Sequence, residues 1–222
     1  MSRSLPSRRL LAVGLAVALS AGAIAVTVGA GAAAAANPLV VANVAPGGGV
    51  PLSTLGGYPM RSLPTDNLGA PEFSTFCALD VISWLPCASA RMIGSGWATW
   101  SHGYGGFVYF LSSTAQGDIA TINLPWNTNA FSFDIESNNF NPTAPATQFT
   151  YVVDASGSGA PGITTAVTVA PNGSSNARYV GFYSKAPSKA NLIQSLKITC
   201  LGKCNGFAIG EFKINQGRLT HP

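Results

Sequence analysis

Residues 130–136 read Ala-Phe-Ser-Phe-Asp-Ile-Glu, and this stretch decides the fold. Apolar and polar side chains alternate along it. In an extended chain the alternation places Phe131, Phe133 and Ile135 on one face and the polar side chains on the other. An amphipathic helix instead repeats its apolar positions every three or four residues. The stretch therefore predicts a β-strand with one buried face.

Strand patterns of the same kind recur after residue 106. Runs rich in aromatic and β-branched side chains alternate with turn residues, which is typical of an antiparallel sandwich or barrel. Phe76–Leu85 is compatible with a short helix, and no later segment shows a long helical period. We predict an all-β, antiparallel β-sandwich of eight to nine strands. The predicted strands include Phe107–Ser112, Asp118–Leu124, Ala130–Glu136, Gln148–Asp154, Ile163–Val169, Arg178–Ser184, Leu192–Thr199 and Phe207–Ile214.

The sandwich domain is predicted over residues 68–216, and residues 217–222 form a polar tail. Residues 37–67 are rich in Pro, Gly and small apolar residues, which is typical of a linker or arm. Residues 1–36 have the pattern of a cleaved secretory signal peptide. Three Arg precede a long uncharged segment that closes on Ala34-Ala35-Ala36.

The leader predicts an extracellular or cell-surface location. Ser7-Arg8-Arg9 matches part of the twin-arginine export signal, and the ordinary Sec route is the other alternative. An uncleaved anchor is an alternative for the leader itself, because its apolar stretch is long enough to span a bilayer. After cleavage, we expect no contact with the membrane.

Charge is scarce in this chain. Only 9% of its residues are charged, against about 25% in ordinary soluble domains. Three of the twelve basic residues lie in the leader, so nine basic and eight acidic residues remain, a net charge of +1. The near-neutral balance argues against nucleic acid as a partner. The scarcity of charged residues favours binding over acid–base chemistry.

Four cysteines follow the leader, and an even number in an exported chain predicts disulfides. Three pairings are open for Cys77, Cys87, Cys200 and Cys204. The local pairs Cys77–Cys87 and Cys200–Cys204 are favoured because each joins near neighbours in sequence. Zinc ligation is disfavoured, because neither spacing is C-x₂-C and the chain has two histidines.

The densest aromatic segment runs from Trp97 to Phe107. If the segment is extended, Trp100, His102 and Tyr104 project to one side. Rings interleaved with small polar residues suit stacking against sugar rings. The predicted ligand-binding residues are therefore Trp97, Trp100, His102 and Tyr104. The alternative is that these rings anchor the core or a loop.

Asp134 and Glu136 are candidates for a catalytic carboxylate pair. Neighbouring acids on one strand are more typical of a solvated surface. A calcium site that adds Asn138 or Asn139 is a weaker suggestion. His102 is the histidine that a Ser-His-Asp site would use, but no G-x-S-x-G occurs. No phosphate- or dinucleotide-binding motif is present, so no catalytic residue, metal or cofactor is predicted.

Several motifs together resemble secreted bacterial jelly-roll modules, including those of PEP-CTERM-type surface proteins. The likeness covers roughly residues 76–214 and consists mostly of core-strand patterns. Their terminal Phe-Ala-Ile-Asp-x-Phe strand is matched here by residues 207–212, with Gly210-Glu211 replacing the Asp. The resemblance implies a jelly-roll sandwich similar to carbohydrate-binding modules and implies no reaction. The other matching motifs are Gly96–Tyr104, Ile122–Pro125, Phe131–Asp134 and Tyr179–Phe182.

From these patterns we expect a secreted, non-enzymatic β-sandwich that binds an extracellular ligand through aromatic residues. A glycan or another cell-surface polymer is the expected ligand. Two alternatives remain open. One is a glycan-active hydrolase that uses Asp134, Glu136 or His102. The other is a structural or protein-inhibitor module, which a long rigid loop held by Cys77–Cys87 would favour.

Overall fold

β-Strands are the regular secondary structure in the part of the chain that the computed structural model describes, and no helix occurs there. The described residues are 43–44, 50–63, 74–112, 118–139, 145–155, 163–169, 177–185, 192–202 and 204–217, and all belong to one compact unit, Ala35–Pro222. The predicted signal peptide and residues 218–222 of the tail lie outside them. In chain order the strands are β1 (Asn43–Val44), β2 (Thr54–Leu55), β3 (Tyr58–Pro59), β4 (Arg61–Ser62), β5 (Thr75–Leu79), β6 (Ile82–Met92), β7 (Phe107–Leu111), β8 (Ile119–Ser137), β9 (Thr147–Ala155), β10 (Ile163–Val169), β11 (Arg178–Tyr183), β12 (Ile193–Leu201) and β13 (Phe207–Gln216).

Strand β8 is the longest and belongs to both halves of the sheet. Its first half, around Ile122, lies between β12 and β6. Its second half, around Ser132, lies between β11 and β13. Beyond β12 the sheet continues into β9 and β10, and beyond β13 into β7, β6 and β5. These pairings are antiparallel, so the predicted all-β antiparallel class is confirmed.

Pro125 was predicted to end a strand, yet β8 continues through it. The register between β8 and β12 gives the reason. β12 pairs with Asn123 and with Thr128 of β8, and the register skips the residues between these two. Proline has no backbone N–H, so it is tolerated where no ladder hydrogen bond is needed. Pro125 therefore lies where β8 changes its neighbours.

The main hydrophobic core forms where the two halves of the sheet face each other. Ile122 from the first half of β8 and Phe133 from the second half belong to one buried cluster. Aromatic rings fill its centre, with Phe131 stacked on Phe212 at a centroid distance of 6.0 Å. Since Phe131, Phe133 and Ile135 all point into this cluster, the strand predicted from residues 130–136 is confirmed with its buried face.

Both predicted disulfide pairs are present. Cys77–Cys87 joins β5 to β6, and these strands are connected by the two-residue turn Asp80-Val81. Phe76–Leu85, which the sequence left compatible with a short helix, does not form one. The segment forms a β-hairpin, and Leu79 and Ile82 bury their side chains in the main core.

Residues 50–63, which the sequence assigned to a linker or arm, pack on the sandwich. Leu55 and Leu63 are buried, and β4 pairs with β13. Lys213 donates from Nζ to the carbonyl oxygen of Pro51 at 2.8 Å. The arm thus covers part of the second half of the sheet. Within the described ranges, no helix has the length and apolar character needed to cross a bilayer.

Candidate functional site

Residues 93–106, here called the covering loop, lie on the outer face of the second half of the sheet. The loop begins with a tight turn in which the carbonyl oxygen of Met92 accepts hydrogen bonds from Gly96 N and Trp97 N. Trp97 and Trp100 then pack with Val108 of β7 and Ala208 of β13 in a second hydrophobic cluster. The loop therefore converts an outer sheet face into a buried one.

The two tryptophans predicted to stack on a ligand are buried. Trp97 is 5% exposed and Trp100 is 4% exposed, while His102 and Tyr104 are partly buried. The segment is not extended, because His102 has φ 43° and Gly103 has φ 76°. An exposed row of rings is therefore absent from this segment, and the rings pack inward. The predicted ligand-binding role of these residues stays a prediction.

Each tryptophan donates its indole N–H to a buried or half-buried carboxylate. Trp97 Nε1 donates to Glu136 Oε2 at 2.7 Å, and Thr99 Oγ1 donates to Glu136 Oε1 at 3.0 Å. These two donors lower the pKa of Glu136, but burial raises it by more, to about 7. The covering loop is thus held to β8 by a carboxyl group that titrates near neutrality.

Asp134 and Glu136 are not on the solvated surface that the sequence suggested. Asp134 is 1% exposed and Glu136 is 0% exposed. The strand alternates as predicted, but the covering loop buries its outer face as well. Asn138, suggested as a calcium ligand, donates its amide nitrogen to the carbonyl oxygen of Asn205 at 3.0 Å.

His102, Asp134 and Glu211 form what we call the polar cluster. One ligand atom from each residue lies within 4.8 Å of the others. His102 Nε2 is 2.9 Å from Glu211 Oε2, and Trp100 Nε1 donates to the same oxygen at 2.8 Å. The cluster therefore joins the covering loop to β8 and to β13.

Asp134 lies at the bottom of the polar cluster. Its pKa is raised to about 9, chiefly by burial and then by the charge and hydrogen bonding of Glu211, while the positive charge of Lys213 opposes the rise. Both carboxyl oxygens of Asp134 are buried. A substrate does not reach them in this conformation, which leaves the hydrolase alternative without an accessible carboxylate at this position.

Glu211 was not singled out by the sequence reasoning as a site residue. It has φ 52° and lies at a β-bulge, where the register of β13 against β8 shifts between Gly210 and Lys213. The bulge breaks the alternation of β13 and brings the carboxylate of Glu211 beside that of Asp134. In the sequence, the sign of an irregularity here is that Gly210-Glu211 replaces the Asp of the Phe-Ala-Ile-Asp-x-Phe motif that residues 207–212 resemble.

A small pocket opens beside the covering loop. Its volume is about 220 Å³, and its walls come from β6, β7, the loop and the end of β8. The guanidinium carbon of Arg91 lies 5.5 Å from the centroid of the Phe110 ring, a cation–π contact. Trp97 contributes a wall as well, so one of the predicted aromatic residues borders the pocket. The lining residues are Arg91, Gly96, Trp97, Phe110 and Asn138.

Comparison with known proteins finds no matching family model and no matching curated protein. Among solved structures, a xylan-binding domain of carbohydrate-binding module family 22 is 18% identical, with a TM-score of 0.34 over 67% of this chain and 96% of that one. The family 11 carbohydrate-binding module of the cellulosomal cellulase Lic26A-Cel5E of Clostridium thermocellum is 15% identical, with a TM-score of 0.33 over 74% and 99%.

A third similar structure is a Stig cyclase, Fisc from Fischerella sp. TAU. It is 13% identical, with a TM-score of 0.31 over 72% of this chain and 86% of that one. Because these sequence identities are low, the ligand has to be inferred from the geometry of the site itself.

Proposed function

We propose that this chain is an exported, non-enzymatic β-sandwich module that binds an extracellular glycan at the pocket beside the covering loop. The single observation that carries the proposal is the lining of that pocket. It combines aromatic surface from Phe110 and Trp97 with the hydrogen-bonding groups of Arg91 and Asn138. Cleavage of residues 1–36, a jelly-roll topology and kinship with PEP-CTERM-type modules belong to the same proposal.

A sugar matches this lining better than a purely apolar ligand. The C–H faces of a pyranose pack on aromatic rings, while its hydroxyl groups need fixed polar partners. Arg91 is held over Phe110, so its donors are oriented in advance. The pocket is smaller than the range of about 300–1,000 Å³ typical of drug-sized ligands. One sugar unit at a chain end or on a polymer surface is the expected fit.

The roles of the predicted aromatic residues divide in this proposal. Trp97 contributes to the pocket wall, whereas Trp100, His102 and Tyr104 hold the covering loop in place. Tyr104 donates from its hydroxyl to the carbonyl oxygen of Phe107 at 3.0 Å, which closes the loop onto the start of β7. Loop order thus becomes a condition for binding, because Gly96 and Trp97 are loop residues.

The test is retention of the purified chain on insoluble polysaccharides and on an array of neutral and acidic glycans. We expect retention by the wild type and at least a 10-fold loss in Arg91→Ala. Arg61→Ala is the matched control, because Arg61 is an exposed arginine paired with Asp80 at 3.2 Å. Absence of retention on every glycan, or equal retention by Arg91→Ala, would overturn the proposal.

A further inference from the structure

The polar cluster contains more ligand chemistry than the packing of a loop requires. It gathers an imidazole nitrogen and two carboxylates from three separate parts of the chain, the covering loop, β8 and β13. We propose that His102, Asp134 and Glu211 bind a divalent transition-metal ion of the Zn²⁺ type. This proposal is independent of the glycan pocket, because none of the three residues lines it.

The spacing fits a common ion. Zinc binds nitrogen and oxygen ligands at about 2.0–2.2 Å, so two ligands of one ion lie at most about 4.4 Å apart. His102 Nε2 and Glu211 Oε2, at 2.9 Å, already meet this condition. The remaining separations are below 4.8 Å.

Asp134 supplies a second observation beside the spacing. No N–H or hydroxyl group of the described residues donates to its carboxyl oxygens, although the side chain is 1% exposed; the group beside it is the carboxyl of Glu211, which pairs with it only when one of the two acids holds a proton. Buried polar atoms nearly always have a partner, so an orphaned pair calls for an explanation. A bound cation satisfies both oxygens at once. The orphaned group belongs to the cluster that holds the other two ligands.

The ligand set favours a transition metal over calcium. Imidazole suits zinc and its neighbours, whereas Ca²⁺ takes six to eight oxygens. Trp100 Nε1 donates to the Oε2 of Glu211, a contact of the kind that orients a ligating carboxylate. Lys213 is the nearby cation, and its Nζ donates to the carbonyl oxygens of Pro51 and Leu52. With a pKa of about 9, Asp134 holds a proton in the metal-free cluster, and binding of the ion displaces that proton.

The position of the cluster predicts what the ion does. It connects the covering loop to two adjacent strands, so binding of the ion cross-links these elements and stabilises the folded loop. The side chains of His102 and Glu211 are 12% and 9% exposed, which gives the ion a route from solvent past these two residues. A structural role of this kind adds the free energy of metal binding to the stability of the fold.

The experiment titrates the full purified chain, freed of metal with a chelator, with Zn²⁺ and separately with Ca²⁺. We expect one Zn²⁺ per chain, a raised melting temperature and no comparable response to Ca²⁺. Co²⁺ in place of Zn²⁺ should give a visible absorption spectrum characteristic of nitrogen and oxygen ligation. Asp134→Asn should weaken Zn²⁺ binding at least 100-fold, because it removes the charge of a direct ligand.

Matched controls separate the cluster from other zinc sites. Glu136→Gln alters a buried acid on the same strand and face and should bind Zn²⁺ as the wild type does. His221→Ala, in the part of the chain outside the described residues, should also leave binding unchanged. If Asp134→Asn does not fold, His102→Gln decides, with the same expected loss. Failure of the wild type to bind Zn²⁺, or undiminished binding by the folded cluster variant, would refute the proposal.

Discussion

At the scale of single residues, the stability of this protein depends on buried carboxyl groups. Glu136 has an ordinary pKa of 4.5, and burial raises it to about 7 in the folded state. The folded chain then holds a proton that the unfolded chain has released. Stability is therefore fully present below pH 4.5 and falls as the pH rises from 4.5 to 7. The raised pKa of Asp134 acts in the same direction up to about pH 9.

Glu136→Gln is expected to flatten this pH dependence. The amide oxygen can still accept from Trp97 Nε1, and the amide nitrogen then faces the hydroxyl oxygen of Thr99, which can accept a hydrogen bond. The wild type should lose about 3 kcal/mol of stability between pH 4.5 and 7 through this group, and the variant should not.

Urea unfolding at several pH values, with chelator present, measures this difference. Asp80→Asn, at an exposed ion pair, is the control that should leave the slope unchanged. If the unfolding free energies of the wild type and of Glu136→Gln changed in parallel with pH, the raised pKa of Glu136 would be contradicted.

At the scale of elements, the strands were predictable because each carries a local alternation. Ile163–Val169 was predicted with the bounds that the structure shows. The Trp97–Tyr104 segment lacks the extended conformation in which its rings would project to one side, and the alternation of rings does not indicate which surface they meet. Its loop geometry depends on a left-handed residue, His102, and on a sheet face formed by strands distant in sequence. The polar cluster was missed because Glu211 reaches it through a bulge, which alternation cannot reveal.

The connection between β12 and β13 gives a prediction at this scale. Gly202 and Gly206 have φ of 111° and 88°, so a side chain at either position strains the backbone by about 1–3 kcal/mol. A Cβ at Gly202 meets nothing within 4 Å, whereas a Cβ at Gly206 lies 2.5 Å from the carbonyl oxygen of Leu111. Gly206→Ala should therefore lose at least about 1 kcal/mol more than Gly202→Ala. Denaturant midpoints of the two variants provide the measurement. Equal losses would show that β7 yields to the new side chain.

At the scale of the whole molecule, the scarcity of charge has a structural cause. Both faces of the second half of the sheet are covered, one by the main core and the other by the covering loop and the arm of residues 50–63. Acids that an ordinary sandwich exposes are then buried, as Asp134 and Glu136 show. Burying a charge is costly unless the group is paired or neutralised, so the covered faces hold few charged groups, whereas Asp80 lies exposed in its pair with Arg61.

The two disulfides should differ in their response to a reductant, because the fold places them differently. Cys77 and Cys87 are exposed on the β5–β6 hairpin, whereas Cys200 and Cys204 are buried in the main core. A thiolate must reach a sulfur atom to exchange with it. In native buffer, we expect Cys77–Cys87 to be reduced first and Cys200–Cys204 only upon unfolding. Alkylation at intervals, followed by peptide mass analysis, gives the order of reduction.

Loss of the Cys77–Cys87 bond removes a short-loop constraint worth about 2–3 kcal/mol while the core remains folded. Simultaneous reduction of both pairs would mean that the core opens as readily as the hairpin.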